Sequence, residues 1–233
     1  MTSYVLVHGA WHGGWCWERL RGELAPHGVR IETPTLTGLG DRAALLSPDV
    51  SLQTHIDDIV QVLEDQDLRQ VVLVGHSYGG MVVTGVAARA SQRLARLVYL
   101  DAVVPKSGQS LFDCSGPKFR SWIDEQVSTR GDGWRIPPAP PEFLGLSASA
   151  DIDWVMPNLV PHPYRTFRDP VRLPAGWESA LPRSYINCIG SKPRGGARSG
   201  QAEGIEDYYE LPTGHDAMVT APRELAELLR EFS

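Results

Sequence analysis

Along the first hundred positions, short aliphatic runs alternate with stretches whose apolar residues recur at helical spacing. Tyr4-Val5-Leu6-Val7 reads as a buried strand that runs through His8 and Gly9 into a loop, Ala10-Trp11-His12-Gly13-Gly14. Trp15 to His27 then reads as an amphipathic helix stopped by Gly28, and Val29 to Leu36 as a second strand broken by Pro34. Thr37 to Arg42 is rich in turn residues, and Leu52, Ile56, Ile59, Val60 and Leu63 mark the inner face of a helix over 52–64. Val71 to Val74 is apolar without alternation, as expected for a strand covered on both sides, and Met81 to Ala90 is a helical run, with Ser91 its last member. Leu94 to Leu100 is a further strand. Strands and helices in this alternation predict βαβ units around a parallel sheet.

From Val104 to about Gly176 the texture changes. Nine prolines fall between 137 and 174, and tryptophans recur at 122, 134, 154 and 177. Short helices are expected around Phe119 to Gln126 and Ile152 to Leu159, within an insertion folded over the sheet and not a sheet layer of its own. Alternation then resumes, with strands at Arg183 to Ile189 and Ile205 to Leu211 and a loop with a short helix at Gly195 to Gly204 between them. A closing helix follows over Arg223 to Phe232, with Pro222 at its start. The expected organisation is one domain with a core at 1–104 and 177–233 and a cap at 105–176.

Composition narrows the function classes. At 233 residues with 42% hydrophobic and 21% charged content, the chain suits a soluble globular domain, and a net charge of −6 without any basic stripe argues against nucleic acid as a partner. No apolar run is long enough for a membrane span, and Met1-Thr2-Ser3-Tyr4 carries no basic leader pattern. Cys16, Cys114 and Cys188 are odd in number and widely spaced, which suits free thiols and a cytoplasmic location.

The chemistry concentrates at Gly75-His76-Ser77-Tyr78-Gly79, which joins a strand pattern to a helix pattern. A serine exposed on so sharp a strand-to-helix turn needs neighbours two residues away with almost no side chain, which is why glycine occupies both places. The helix start behind it favours negative charge. The plainer alternative is a glycine-rich turn whose serine caps the helix. A nucleophilic serine needs a base, and His215 has the best placement: it follows the last predicted strand and precedes the closing helix, on the same sheet edge as Ser77. His76 reads as a packing residue pointing away from the site. His8 and His12 lack a third partner at metal-ligand spacing, so neither metal nor cofactor is expected, and His27, His55 and His162 carry no signal.

Five ordered segments resemble the α/β-hydrolases that include plant methylesterases, hydroxynitrile lyases and bacterial esterases. They are His8 to Trp17, Gly38-Leu39-Gly40-Asp41-Arg42, Gly75 to Gly80, Tyr99 to Pro105 and Thr213 to Met218. The resemblance implies an α/β-hydrolase fold, a mostly parallel sheet flanked by helices with an inserted cap. It also implies Ser77 as nucleophile, His215 as base, and the N–H groups of Ala10 and Tyr78 as the oxyanion hole. The acid is where the chain departs from its relatives. The segment where they carry it, Gly190 to Gly200, holds no carboxylate, and Ser191 stands nearest the usual position. Asp101, at the end of the neighbouring strand, is the expected acid, although an Asp there also serves as a loop brace. Glu203 and Asp207 are expected at the wrong edge, and Asp216 would have to fold back sharply.

Phe119, Trp122, Trp134, Trp154 and Tyr164 offer an aromatic lining for an apolar acyl or alcohol group, or else form the core of the cap. Lys192, Arg194 and Arg198 offer a basic loop. The expected activity is hydrolysis of a small carboxylic ester or lactone through an acyl-enzyme, with a small-molecule substrate as partner, no membrane, and a homodimer left open. Two alternatives stand beside it. One is a small-molecule-binding or non-hydrolytic biosynthetic protein on the same scaffold. The other is a hydroxynitrile lyase, against which Gly9 and Asp216 stand where those lyases carry Thr and Lys.

Overall fold

The computed structural model describes residues 3–177, 181–190, 201–205 and 207–232. Six strands form one sheet: β1 (Ser3–Val7), β2 (Arg30–Glu32), β3 (Val71–His76), β4 (Leu94–Leu100), β7 (Arg183–Cys188) and β8 (Asp207–Leu211). Their order is β2-β1-β3-β4-β7-β8 and every pairing is parallel. Every residue of β1 and β3 is buried, which explains why neither strand alternates in sequence.

Strand order places the site. The chain leaves β1 for β2 on one side and then crosses to β3 on the other, so the crevice beyond the carboxyl ends of β1 and β3 is a topological switch point, where ligands of open α/β sheets bind. The register aligns the ends: Val7 faces Gly75, His76 faces Leu100, and Leu100 faces Ile186. The residues that follow, Ser77 and Asp101, therefore emerge side by side at one edge.

Several elements differ in extent from their sequence pattern. The helix expected over 15–27 is a 3-10 turn (Gly14–Trp17), an α-helix, α1 (Glu18–Leu24), and a second 3-10 turn (Ala25–His27) that Gly28 closes at φ 67°. β2 stops at Glu32 and not Leu36, because Pro34 has no N–H for the ladder and the Leu36 N–H turns inward to His8 Nε2 (3.1 Å). Helix α2 (Leu52–Asp65) opens with a capping box between Ser51 and Thr54 and packs against α3 (Gly79–Ala90). Helix α1 packs against the closing helix, Pro222–Arg230.

Between β4 and β7 the chain builds helices Pro117–Arg130 and Ser149–Val155, and shorter ones at Leu111–Ser115, Pro141–Leu144 and Arg165–Arg168. It also builds a two-stranded antiparallel pair, β5 (Arg135–Ile136) with β6 (His162–Pro163), a small sheet that the proline-rich sequence gave no sign of. The basic residues Lys192, Arg194 and Arg198, and Ser191, lie outside the described residues, as do 195–200 of the loop expected before β8.

Candidate active site

The elbow is held by close contact on every side. A Cβ on Gly75 would sit 2.5 Å from Val83 Cγ2 and 2.8 Å from the Gly79 carbonyl oxygen, and one on Gly79 would sit 2.7 Å from the Val7 carbonyl oxygen. Ser77 itself adopts φ 55°, a left-handed conformation that costs a non-glycine residue roughly 1–3 kcal/mol. The surrounding bonds fix it there. Its N–H donates to the Leu100 carbonyl (3.2 Å), and its own carbonyl accepts from Gly80 (3.1 Å) and Val103 (3.0 Å). Asp101 (φ 46°) and Trp11 (φ 68°) are held in the same region, so the loops leaving β1, β3 and β4 each carry one strained residue.

Asp101 is buried, and its N–H donates to the Ile186 carbonyl (2.8 Å) across to β7. Its Oδ2 lies 2.6 Å from His215 Nδ1. A carboxylate only accepts, so Nδ1 carries the hydrogen, and Nε2 of the neutral ring keeps its lone pair. His215 is also buried, on the loop that follows β8. The Thr213 carbonyl of that loop accepts from Gly190 (2.9 Å), and the Asp216 N–H donates to Leu144 of the cap (3.0 Å). The Ser77 hydroxyl makes no hydrogen bond to a described residue, His215 included.

The other carboxylates considered from sequence are engaged elsewhere. Glu203 pairs with Lys106 at 3.3 Å on the surface, Asp207 pairs with Arg96, and Asp216 accepts from His12 Nε2 at 3.1 Å. His76 is buried, as expected of a packing residue, but its orientation differs. It does not point away: its Nε2 donates to the His215 carbonyl (3.0 Å), and the two rings lie 4.5 Å apart. The N–H groups of Ala10 and Tyr78 carry no hydrogen bond to any described residue. The loop beside Ala10 is clamped by the cap through Trp11, whose indole N–H donates to Ile136 (3.2 Å) and whose carbonyl accepts from Val160 (3.0 Å).

Sequence reasoning missed two histidines here. His55 Nε2 donates to the Thr37 carbonyl (2.9 Å), so its Nδ1 must accept from the Tyr78 hydroxyl (2.8 Å). His162 Nδ1 accepts from the Trp11 N–H at 3.4 Å, and its Nε2 donates to Thr166 (2.8 Å). Both are single histidines in segments without a motif, and only their tertiary partners mark them.

Burial dominates the histidine electrostatics. It holds His8 down to about 3 and His55 down to about 4, and pushes His76 and His162 well below the ordinary value of 6.5. For His12 burial also works against charge, but the Asp216 carboxylate outweighs it and raises the value. The four neutral histidines take up protons near their ordinary value only on unfolding. Below that value the unfolded chain then binds more protons, and stability falls as pH drops, by up to about 1.4 kcal/mol per pH unit for each histidine. His12 acts oppositely, its contribution being lost as pH rises through its folded value. Thermal melts should therefore show a clearly lower Tm at about pH 5 than at about pH 7.5, and an unchanged Tm would contradict this.

One group of potential metal donors occurs among the described residues: His76, His215 and Asp216, with ligand atoms within 4.8 Å of one another. His76 Nε2 serves the His215 carbonyl, His215 Nδ1 serves Asp101 and Asp216 Oδ2 serves His12, while His76 Nδ1 and Asp216 Oδ1 have no hydrogen-bond partner among the described residues. No helix among the described residues is long and apolar enough to cross a membrane.

The aromatic residues of the cap divide into groups. Phe119, Trp122, Phe143 and Phe167 form a stacked path: Trp122 lies 5.1 Å from Phe143, and Phe119 lies 6.2 Å from both Phe143 and Phe167. The path reaches Tyr78 at 5.6 Å through Phe167 and Trp11 at 5.8 Å through Phe143. Tyr164 packs beside it on Phe112 (5.8 Å). Trp154 joins Trp15 instead (5.6 Å), and Trp134 lies under Arg135.

Comparison with known proteins agrees with this architecture. The profile of the alpha/beta hydrolase family matches residues 4–228. A carbendazim hydrolyzing esterase from Nocardioides sp. (strain SG-4G) is 40% identical over 243 residues, covering 98% of each chain. The pFDCC methylesterase MES16 of Arabidopsis thaliana is 30% identical over 199 residues, 80% of this chain and 75% of that protein. The crystal structure of MES16 superposes with a TM-score of 0.81 at 25% identity, over 99% of this chain and 98% of that one. An extracellular alpha/beta-hydrolase from a Paenibacillus species reaches a TM-score of 0.90 at 24% identity, over 100% and 99%, which speaks for the fold alone. With strands, elbow and whole-length relatives in agreement, the chain belongs to the alpha/beta hydrolase family, as an esterase-type member of it.

Proposed function

We propose that the protein is a serine hydrolase that cleaves a carboxylic ester or lactone of a small apolar or aromatic molecule. The observation that carries this reading is the 2.6 Å bond from His215 Nδ1 to buried Asp101, beside a serine on a strained elbow. In this reading His215 Nε2 takes the hydroxyl proton as Ser77 Oγ attacks the ester carbonyl. The resulting imidazolium is stabilised by Asp101, and the oxyanion is held by the N–H groups of Ala10 and Tyr78. The proton then passes to the leaving alcohol as the ester C–O bond breaks. Water, deprotonated by the same nitrogen, attacks the acyl-enzyme, and the proton returns to Ser77 as the acid leaves. No metal or organic cofactor enters these steps.

The substrate class rests on the aromatic path from Tyr78 and Trp11 to the half-buried Phe119 and Trp122, which suits a planar apolar group. The relatives named as a carbendazim hydrolyzing esterase and a methylesterase support ester cleavage as the reaction. Short p-nitrophenyl esters should therefore be turned over, with a pre-steady-state burst of about one nitrophenolate per chain where deacylation is the slower step. Absence of both burst and turnover across aliphatic and aromatic acyl groups would count against the reading.

A further inference from the structure

His12 lies outside the proposed reaction, yet it is buried and both of its ring nitrogens are bonded. Nδ1 lies 2.7 Å from the Ala10 carbonyl oxygen and Nε2 lies 3.1 Å from Asp216 Oδ2. A carbonyl has no hydrogen to give, so Nδ1 must be a donor. The Nε2–Asp216 contact then holds one further proton between imidazole and carboxylate. The ring also stacks on Trp15, centroids 5.5 Å apart and 25° between planes, a placement that favours a cation.

What the two acceptors belong to gives the pair its meaning. Ala10 offers one of the two proposed oxyanion N–H groups, and Asp216 directly follows His215 in the chain. We propose that His12 is a positioning residue: as an imidazolium donating from both nitrogens, it ties the oxyanion loop after β1 to the histidine loop after β8 and fixes the spacing between them. This rests on the roles proposed above for Ala10 and His215.

The neighbouring groups are consistent with one cation at this place. His76, at right angles to His12 with centroids 6.2 Å apart, is neutral and bonded to the His215 carbonyl. Asp216 Oδ1 lies 3.8 Å from His76 Nε2. Burial keeps His8 and His162 neutral, and burial, with Asp216 beside it, keeps Cys16 a thiol. A pair of charges buried in this way is weak evidence for stability by itself, but it is well suited to holding two loops in one register.

Two measurements test the brace. Nitrogen-15 NMR of the wild-type enzyme at about pH 7.5, where an ordinary histidine is about nine-tenths neutral, should show both His12 ring nitrogens protonated. His12→Gln and Asp216→Asn should each lower kcat by about 10- to 100-fold with KM changed less than about three-fold, because a misplacement near 1 Å is felt in the reaction more than in binding. The double variant should be no worse than the poorer single one. A ring with one protonated nitrogen at that pH overturns the proposal, and so does a kcat within about two-fold of wild type in folded His12→Gln protein. The NMR result is independent of the serine chemistry: a Ser77→Ala enzyme that kept its activity would remove the proposed mechanism and leave the His12 protonation as measured.

Discussion

Ser77→Ala protein should fold as the parent does and lose ester turnover by about 10⁴-fold or more. Folding is retained because the elbow uses the backbone of Ser77, through bonds to Leu100, Gly80 and Val103, and makes no described use of the hydroxyl. Alanine tolerates the left-handed conformation no better than serine, so a small loss of Tm is expected, but the loss of activity is chemical. What activity remains would come from the oxyanion donors and substrate binding alone. Steady-state hydrolysis of the best p-nitrophenyl ester measures it, and a variant as active as the parent would require another nucleophile.

The second large effect is expected at Asp101. Asp101→Asn keeps the shape of the side chain but removes its charge, and its amide can present a hydrogen to His215 Nδ1. The ring is then driven toward the tautomer with the proton on Nε2, where the base is needed. A loss of about 10⁴-fold in kcat is the expected scale. Glu203→Gln and Asp207→Asn serve as controls, since those side chains pair with Lys106 and Arg96, and both should stay near wild type. Equal, small losses in all three variants would reduce the site to a serine–histidine dyad. This choice of acid accounts for the missing carboxylate in the segment after β7. In a parallel sheet the adjoining strand end, that of β4, presents a side chain to the same histidine.

The parts of this account that were legible in sequence are those set by local sterics or by the period of burial. The elbow could be read from its two glycines because their small size is forced by contacts within 3 Å. β1 and β3 could be read because strands covered on both faces are mostly apolar, and β4 because its buried half, Leu97 to Leu100, is apolar as well. Asp101 emerged only by adding topology to chemistry, as the residue following a strand beside the one with the gap. The histidines around the site were not legible. His12 meets Asp216 across 204 positions, His55 meets the Tyr78 hydroxyl, and His162 accepts from Trp11 across 151, so no local pattern announces them. The packing role of His76 was legible, but its orientation was not, since its hydrogen-bond partner is a backbone carbonyl 139 positions away. The cap was legible as a proline- and tryptophan-rich insertion, but its two-residue strands and four-residue helices are shorter than any periodicity can reveal.

The central claim is covalent chemistry at one hydroxyl, and a serine-directed fluorophosphonate tests it most directly. Intact-mass and peptide mapping should find a single adduct per chain on the peptide carrying Ser77, formed more slowly in Asp101→Asn and absent in Ser77→Ala. An active enzyme that takes up no phosphonate, or takes it up on another residue, would contradict the account.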